Sequence, residues 1–173
     1  MWGAERFADD GVALVLTPTS LDVIEGGTGT VNAHLTAQPP ADVVVTVASS
    51  DTAVAQASTG TLTFTAANWM TDQSIVVTGV QDVDTTPDTA MILFTSPDLT
   101  NAAVTVQVPD DDVLGITTSV SGVSLTEGGT GTFTVQLSQS PPGTVTVTVG
   151  TMNPQVATAT PATLTFTQVT WNV

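Results

Sequence analysis

The heptapeptide Ile24-Glu25-Gly26-Gly27-Thr28-Gly29-Thr30 returns as Thr126-Glu127-Gly128-Gly129-Thr130-Gly131-Thr132, an offset of 102 residues. The same offset carries Thr61-Leu62-Thr63-Phe64-Thr65 onto Thr163-Leu164-Thr165-Phe166-Thr167, and Trp69 onto Trp171. It also carries Asp9-Asp10 onto Asp111-Asp112, and no gap is needed between these landmarks. A period of this length is that of a whole domain rather than of a short solenoid repeat. The chain therefore divides into three parts. Residues 1–10 stand where a preceding copy would end, residues 11–112 form one full copy, and residues 113–173 form the beginning of a second.

Within the first copy, apolar residues alternate with polar ones in short runs. The alternation predicts strands near 12–17, 20–24, 29–36, 42–48, 60–65, 73–80, 89–95 and 102–108. Asp, Gly, Pro and Asn separate most of these runs. Leu62 and Phe64 are expected to face a core, with Thr61, Thr63 and Thr65 outward, and Leu164 and Phe166 are expected to repeat this. No segment has a helical period. The Thr- and Val-rich, Lys-free composition agrees, since β-branched residues favour the pleated strand. The expected class is all-β: tandem immunoglobulin-like antiparallel sandwiches, the second incomplete.

Sixteen carboxylates face one arginine, a net charge of −15. Nucleic acid is excluded as a partner, because its binding requires basic side chains that displace counterions. Anionic lipid is excluded on the same ground. The absence of Cys removes disulfides and thiolate metal sites. No apolar run reaches the roughly eighteen residues that a spanning helix needs, so direct membrane insertion is not expected. Residues 1–10 lack the basic start and apolar core of a secretory signal. Such a surface attracts cations, although carboxylates can also serve only to solubilise and to cap turns.

The residues Glu25-Gly26-Gly27-Thr28-Gly29-Thr30, Leu62-Thr63-Phe64-Thr65-Ala66-Ala67-Asn68-Trp69, Val76-Val77-Thr78-Gly79-Val80-Gln81-Asp82-Val83-Asp84 and Val108-Pro109-Asp110-Asp111-Asp112 together resemble the Calx-beta domain in its bacterial tandem-repeat form. The resemblance covers the first copy and the part of the second that is present. It implies a seven-stranded sandwich and an extracellular or cell-surface setting. It also implies calcium ligands gathered from several loops at one end: Glu25, Asp51, Asp82, Asp84, Asp110, Asp111 and Asp112. The chain departs from the family where a run of three acids reads Gln81-Asp82-Val83, and where the acidic stretch after it is reduced to Thr85-Thr86-Pro87-Asp88. One calcium ion or a few is the expectation.

Calcium takes six to eight oxygen ligands from irregular loops, which suits closely spaced carboxylates with little basic charge to relieve them. Those carboxylates either hold the cation or cap their turns. The second copy has a single acid, Glu127, and Asn153 stands where the first has Asp51. A calcium ion is therefore expected where Asp110–Asp112 lead into the second copy, stiffening the joint.

His34 is the one histidine and lies mid-strand, so a surface position is expected rather than a catalytic one, and a hydrolytic triad is not expected. Trp69 and Trp171 are expected to pack against the core or its edge. The Thr-x-Thr ladders reflect strand propensity, and the Gly-rich turn, with no basic partner, is no phosphate loop. The resulting expectation is a non-enzymatic extracellular calcium-binding module with a structural or adhesive role in a repetitive bacterial protein. Its partners would be neighbouring modules, identical subunits or a cell-surface ligand. Two alternatives stand beside it. One is a self-assembling subunit of a filament, surface layer or virus particle, completed by strand exchange with a neighbour. The other is an accessory module of a secreted enzyme.

Overall fold

The computed structural model describes residues 11–173; the expectation that residues 1–10 stand for the last strand of a preceding copy lies outside them. The described residues contain thirteen strands and no helix. They form two compact units. One holds the described residues up to Gln81 together with Pro87–Pro109; the other holds Asp82–Thr86 and Asp110–Val173. Asp110–Asp112, read from the repeat as the end of the first copy, thus belong to the second unit.

The first unit contains β1 (Leu14–Thr17), β2 (Ser20–Asp22), β3 (Thr28–Leu35), β4 (Val43–Ser49), β5 (Ala55–Ala57), β6 (Thr61–Phe64), β7 (Gln73–Gly79), β8 (Asp88–Thr95) and β9 (Ala102–Val108). They make a four-stranded sheet ordered β1-β3-β7-β5 and a five-stranded sheet ordered β2-β9-β8-β4-β6. Every pairing is antiparallel except that of β2 with β9. The chain changes sheets between β1 and β2, at Pro18, which has no N–H to continue the ladder of β1.

Sequence alternation becomes burial directly. In β4, Val43, Val45 and Val47 are buried while Val44, Thr46 and Ala48 face out. Leu62 and Phe64 do the same in β6, with Thr61 and Thr63 outward as expected. The inner faces meet in one core. Val31, Ala33, Ile75 and Val77 come from the smaller sheet, and Val45, Phe64, Ile92, Phe94, Val104 and Val106 from the larger. Each large apolar side chain removed from water in this way contributes roughly 1.5–3 kcal/mol. Trp69 packs half-buried against this core.

Nine strands stand where eight were read and where the family resemblance implies seven. The additional one is β5, whose sequence Ala-Gln-Ala has no β-branched or aromatic residue to announce a strand. It forms because β7 offers it a partner, with Ala55 opposite Gly79.

The second unit has two hairpin-like pairs: β10 (Ile116–Thr118) with β11 (Val135–Leu137), and β12 (Val145–Thr148) with β13 (Thr163–Phe166). Their registers repeat those of the first unit. Ile116 faces Leu137 as Leu14 faces Leu35, and Val145 faces Phe166 as Val43 faces Phe64. The hydrogen bonds repeat as well. Leu35 N donates to Trp69 O at 2.7 Å, and Leu137 N donates to Trp171 O at 2.9 Å. The Glu-Gly-Gly turn reappears with Gly26 at φ 65 and Gly128 at φ 71, a left-handed conformation that glycine adopts without a Cβ penalty.

Candidate metal centre

Four of the expected ligands come together in the second unit. Asp82 and Asp84 lie on the loop after β7, and Asp110 and Asp112 on the segment after β9. One carboxylate oxygen from each of Asp82, Asp84 and Asp110 lies within 4.8 Å of the others, and an oxygen of Asp112 lies within the same distance of Asp110.

Local hydrogen bonds fix these loops. Asp82 Oδ1 accepts from Asp84 N at 2.8 Å, Asp84 Oδ1 from Thr86 N at 2.7 Å, and Asp110 Oδ1 from Asp112 N at 2.9 Å. Each is an Asx turn, in which a short acidic side chain takes the place of a backbone carbonyl. Asp112 Oδ1 accepts from Gln139 Nε2 at 2.7 Å, and Ser140 N donates to Val83 O at 2.9 Å. One oxygen of each carboxylate therefore organises the backbone or binds a neighbouring amide. The second oxygens of Asp110 and Asp112 are buried and have no hydrogen-bond partner, an arrangement that costs free energy unless something positive meets them. The pKa of Asp112 is raised, first by burial and then by the carboxylates of Asp110, Asp111, Asp82 and Asp84.

Asp111 is exposed. Glu25, in the first unit, is buried at 4% exposure on the turn before β3, and Gln81 Nε2 donates to its Oε2 at 2.6 Å. Asp51 is exposed in the turn between β4 and β5, where its Oδ1 accepts from Ala53 N at 2.9 Å. Asn153 makes the same turn in the second unit, its Oδ1 accepting from Gln155 N at 3.1 Å. The two readings offered for the acids, cation ligands or turn caps, are thus not exclusive: Asp82, Asp84 and Asp110 cap turns and also converge.

Sequence reasoning missed two amides. Gln81 counted only as a departure from an acidic run, yet it is the donor to buried Glu25. Gln139 carried no signal at all, because only the folded chain brings it to Asp112. His34 is partly exposed, and its Nδ1 lies 2.8 Å from Asp72 Oδ1. No helix of the described residues is long and apolar enough to cross a membrane.

No protein-family model matches the chain, and no curated protein matches it. Among solved structures it is similar to domains 4 and 5 of the S-layer protein SbsC, at 20% identity over 56% of this chain and 51% of that one, with a TM-score of 0.42. It is similar to a chain of the chaperone–tip adhesin complex of CFA/I fimbriae, at 9% identity over 89% and 81%, with a TM-score of 0.47. A Bacteroides ovatus GH5 xyloglucanase bound to a XXXG heptasaccharide gives 13% identity over 56% of this chain and 19% of that one, with a TM-score of 0.43. The chain thus spans about a fifth of the xyloglucanase and about half of the S-layer chain. These likenesses are distant, and the functional reading rests on the residues of this chain.

Proposed function

We propose that this protein is a non-enzymatic, extracellular calcium-binding module of the Calx-beta type, with a structural or adhesive role in a repetitive surface protein. The observation that carries the reading is the convergence of Asp82, Asp84 and Asp110 within 4.8 Å, joined by Asp112 beside Asp110. Two buried oxygens there, Asp110 Oδ2 and Asp112 Oδ2, have no hydrogen-bond partner. A divalent cation relieves both the mutual repulsion and the unmet acceptors. Calcium suits the set best among hard cations, since it accepts oxygen ligands in irregular loops at about 2.3–2.6 Å and completes its shell with carbonyls or water. Its role would be mechanical: it would bind the Asp82–Thr86 loop to the Asp110–Asp112 segment and make both rigid. Neighbouring modules or identical subunits would then be the partners.

Calorimetry tests this. With millimolar calcium the melting temperature rises, and EDTA reverses the rise. A melt indifferent to both would overturn the calcium reading. A response to magnesium equal to that to calcium would overturn the choice of ion.

A further inference from the structure

We propose that Asn68 and Gln73 close the outer edge of β6 against strand addition by a second copy of this chain. β6 ends the five-stranded sheet of the first unit, with β4 as its one neighbour among the described residues. The segment Thr61-Leu62-Thr63-Phe64-Thr65 is uncharged and free of proline, and all but Leu62 are β-branched or aromatic. Such a sequence on a sheet edge is a template for pairing with another chain. The other three edges of the unit are blunted by ordinary means: β2 and β5 are three residues long, and β1 runs into Pro18.

The register shows which groups of β6 face outward. Val47 N donates to Gly60 O at 2.9 Å, and Val45 and Val43 stand opposite Leu62 and Phe64. Hydrogen-bonded pairs alternate along an antiparallel ladder, so Gly60, Leu62 and Phe64 bond to β4. The N–H and C=O groups of Thr61 and Thr63 point the other way, to the open edge. A second β6 fits that edge. An antiparallel pairing that sets Thr61 opposite Thr63 keeps the threonines of both strands on one face and Leu62 and Phe64 on the other.

Side chains already occupy the place that such a strand would take. Thr63 O accepts from Asn68 Nδ2 at 3.2 Å and from Gln73 Nε2 at 2.9 Å. Asn68 Oδ1 accepts from Thr65 N at 2.6 Å, and Thr61 O accepts from Thr59 Oγ1 at 3.0 Å. Asn68 lies on the turn after β6, while Gln73 begins β7 in the other sheet, opposite Ala33. Gln73 thus reaches across the sandwich edge, and both amides are partly buried. An added strand lies about 4.7–4.9 Å from its neighbour, and its own N–H would have to displace both amides from Thr63 O. One hydrogen bond would replace two, and a displaced Asn68 would also release Thr65 N.

The test removes the two donors and keeps the turn. The second unit supplies one substitution. Thr170 stands at the position of Asn68, and its Oγ1 accepts from Thr167 N at 3.0 Å, as Asn68 Oδ1 accepts from Thr65 N. Asn68→Thr with Gln73→Met therefore retains the turn bond and much of the side-chain volume while leaving Thr63 O open. Amide hydrogen exchange of Thr61 and Thr63 is followed in the intact chain from micromolar to millimolar protein. In the unaltered chain it is expected not to change with concentration. In the double variant it is expected to slow by about tenfold or more as concentration rises. Adding Thr63→Lys, a charge on the edge strand at an exposed position, is expected to abolish the slowing. Exchange in the double variant that ignores concentration would overturn the proposal. So would slowing that already occurs in the unaltered chain, or slowing that spares Thr61 and Thr63. Where the double variant does not fold, Gln73→Met alone gives the same reading with one donor removed.

Discussion

Gln139 Nε2 donates to Asp112 Oδ1 at 2.7 Å, while the other oxygen of the same carboxylate is buried and accepts no hydrogen bond. One amide thus holds the side chain in place but leaves half of its acceptor capacity unmet, beside four further aspartates of the same unit.

That geometry sets a pH dependence. The pKa of Asp112 is raised by burial and then by Asp110, Asp111, Asp82 and Asp84, so the folded chain binds this proton more tightly than the unfolded one. The stabilising contribution is fully present below the ordinary aspartate range and is lost as pH rises through the raised value. Without divalent cation, thermal melts of the second unit should therefore fall over that window, and Asp112→Asn should flatten the fall. Calcium competes with the proton, so its stabilising effect should grow across the same window.

Asp110→Asn should abolish most of the calcium-dependent rise in melting temperature. The amide oxygen of Asn can still accept from Asp112 N, so the turn survives while the charge is lost. Asp51→Asn should leave the calcium response unchanged, because Asp51 caps an exposed turn, the same turn that Asn153 makes in the second unit. Paired calorimetric titrations read the contrast.

Gly79→Ala should destabilise the first unit by about 1–3 kcal/mol, the usual cost of forcing atoms into a packed site. The new Cβ would meet the backbone oxygen of Ile24 at 2.8 Å, and backbone cannot turn aside as a flexible side chain can. Gly60→Ala meets nothing within 4 Å and should change stability by less than about 0.5 kcal/mol. Urea unfolding of the two variants separates them.

Phe64→Ala should cost about 3–5 kcal/mol, since the ring is fully buried between the two sheets of the first unit. Phe133→Ala should cost less than about 1 kcal/mol, because nearly half of that ring is already in water. Two phenylalanines in a repetitive chain would thus differ severalfold in the same denaturant experiment.

Most of the fold was legible in the sequence because a half-buried strand writes its burial as alternation. Val43–Val47 and Thr61–Phe64 needed nothing more. β5 was not legible, since its pairing with β7 supplies what its own residues lack. Residues 130–134 misled in the opposite direction. Their repeat partners are strand, but local sequence forms a strand only where a neighbour accepts its hydrogen bonds. Of the candidate site, Asp82, Asp84 and Asp110–Asp112 were named through the family resemblance, and only Asp110–Asp112 form an unbroken run of acid. Gln139 lay beyond reach because its contact with Asp112 spans 27 residues and depends on the tertiary fold.

Asp51 and Asn153 fold the same turn with different charges. The carbonyl oxygen that shapes the loop is common to both side chains, and only the carboxylate adds a negative charge. Loop architecture and surface charge can therefore drift independently from one repeat to the next. One repeat can carry a negative charge at this turn and the next none, by exchanging a single atom, oxygen for nitrogen, with the same turn hydrogen bond in both.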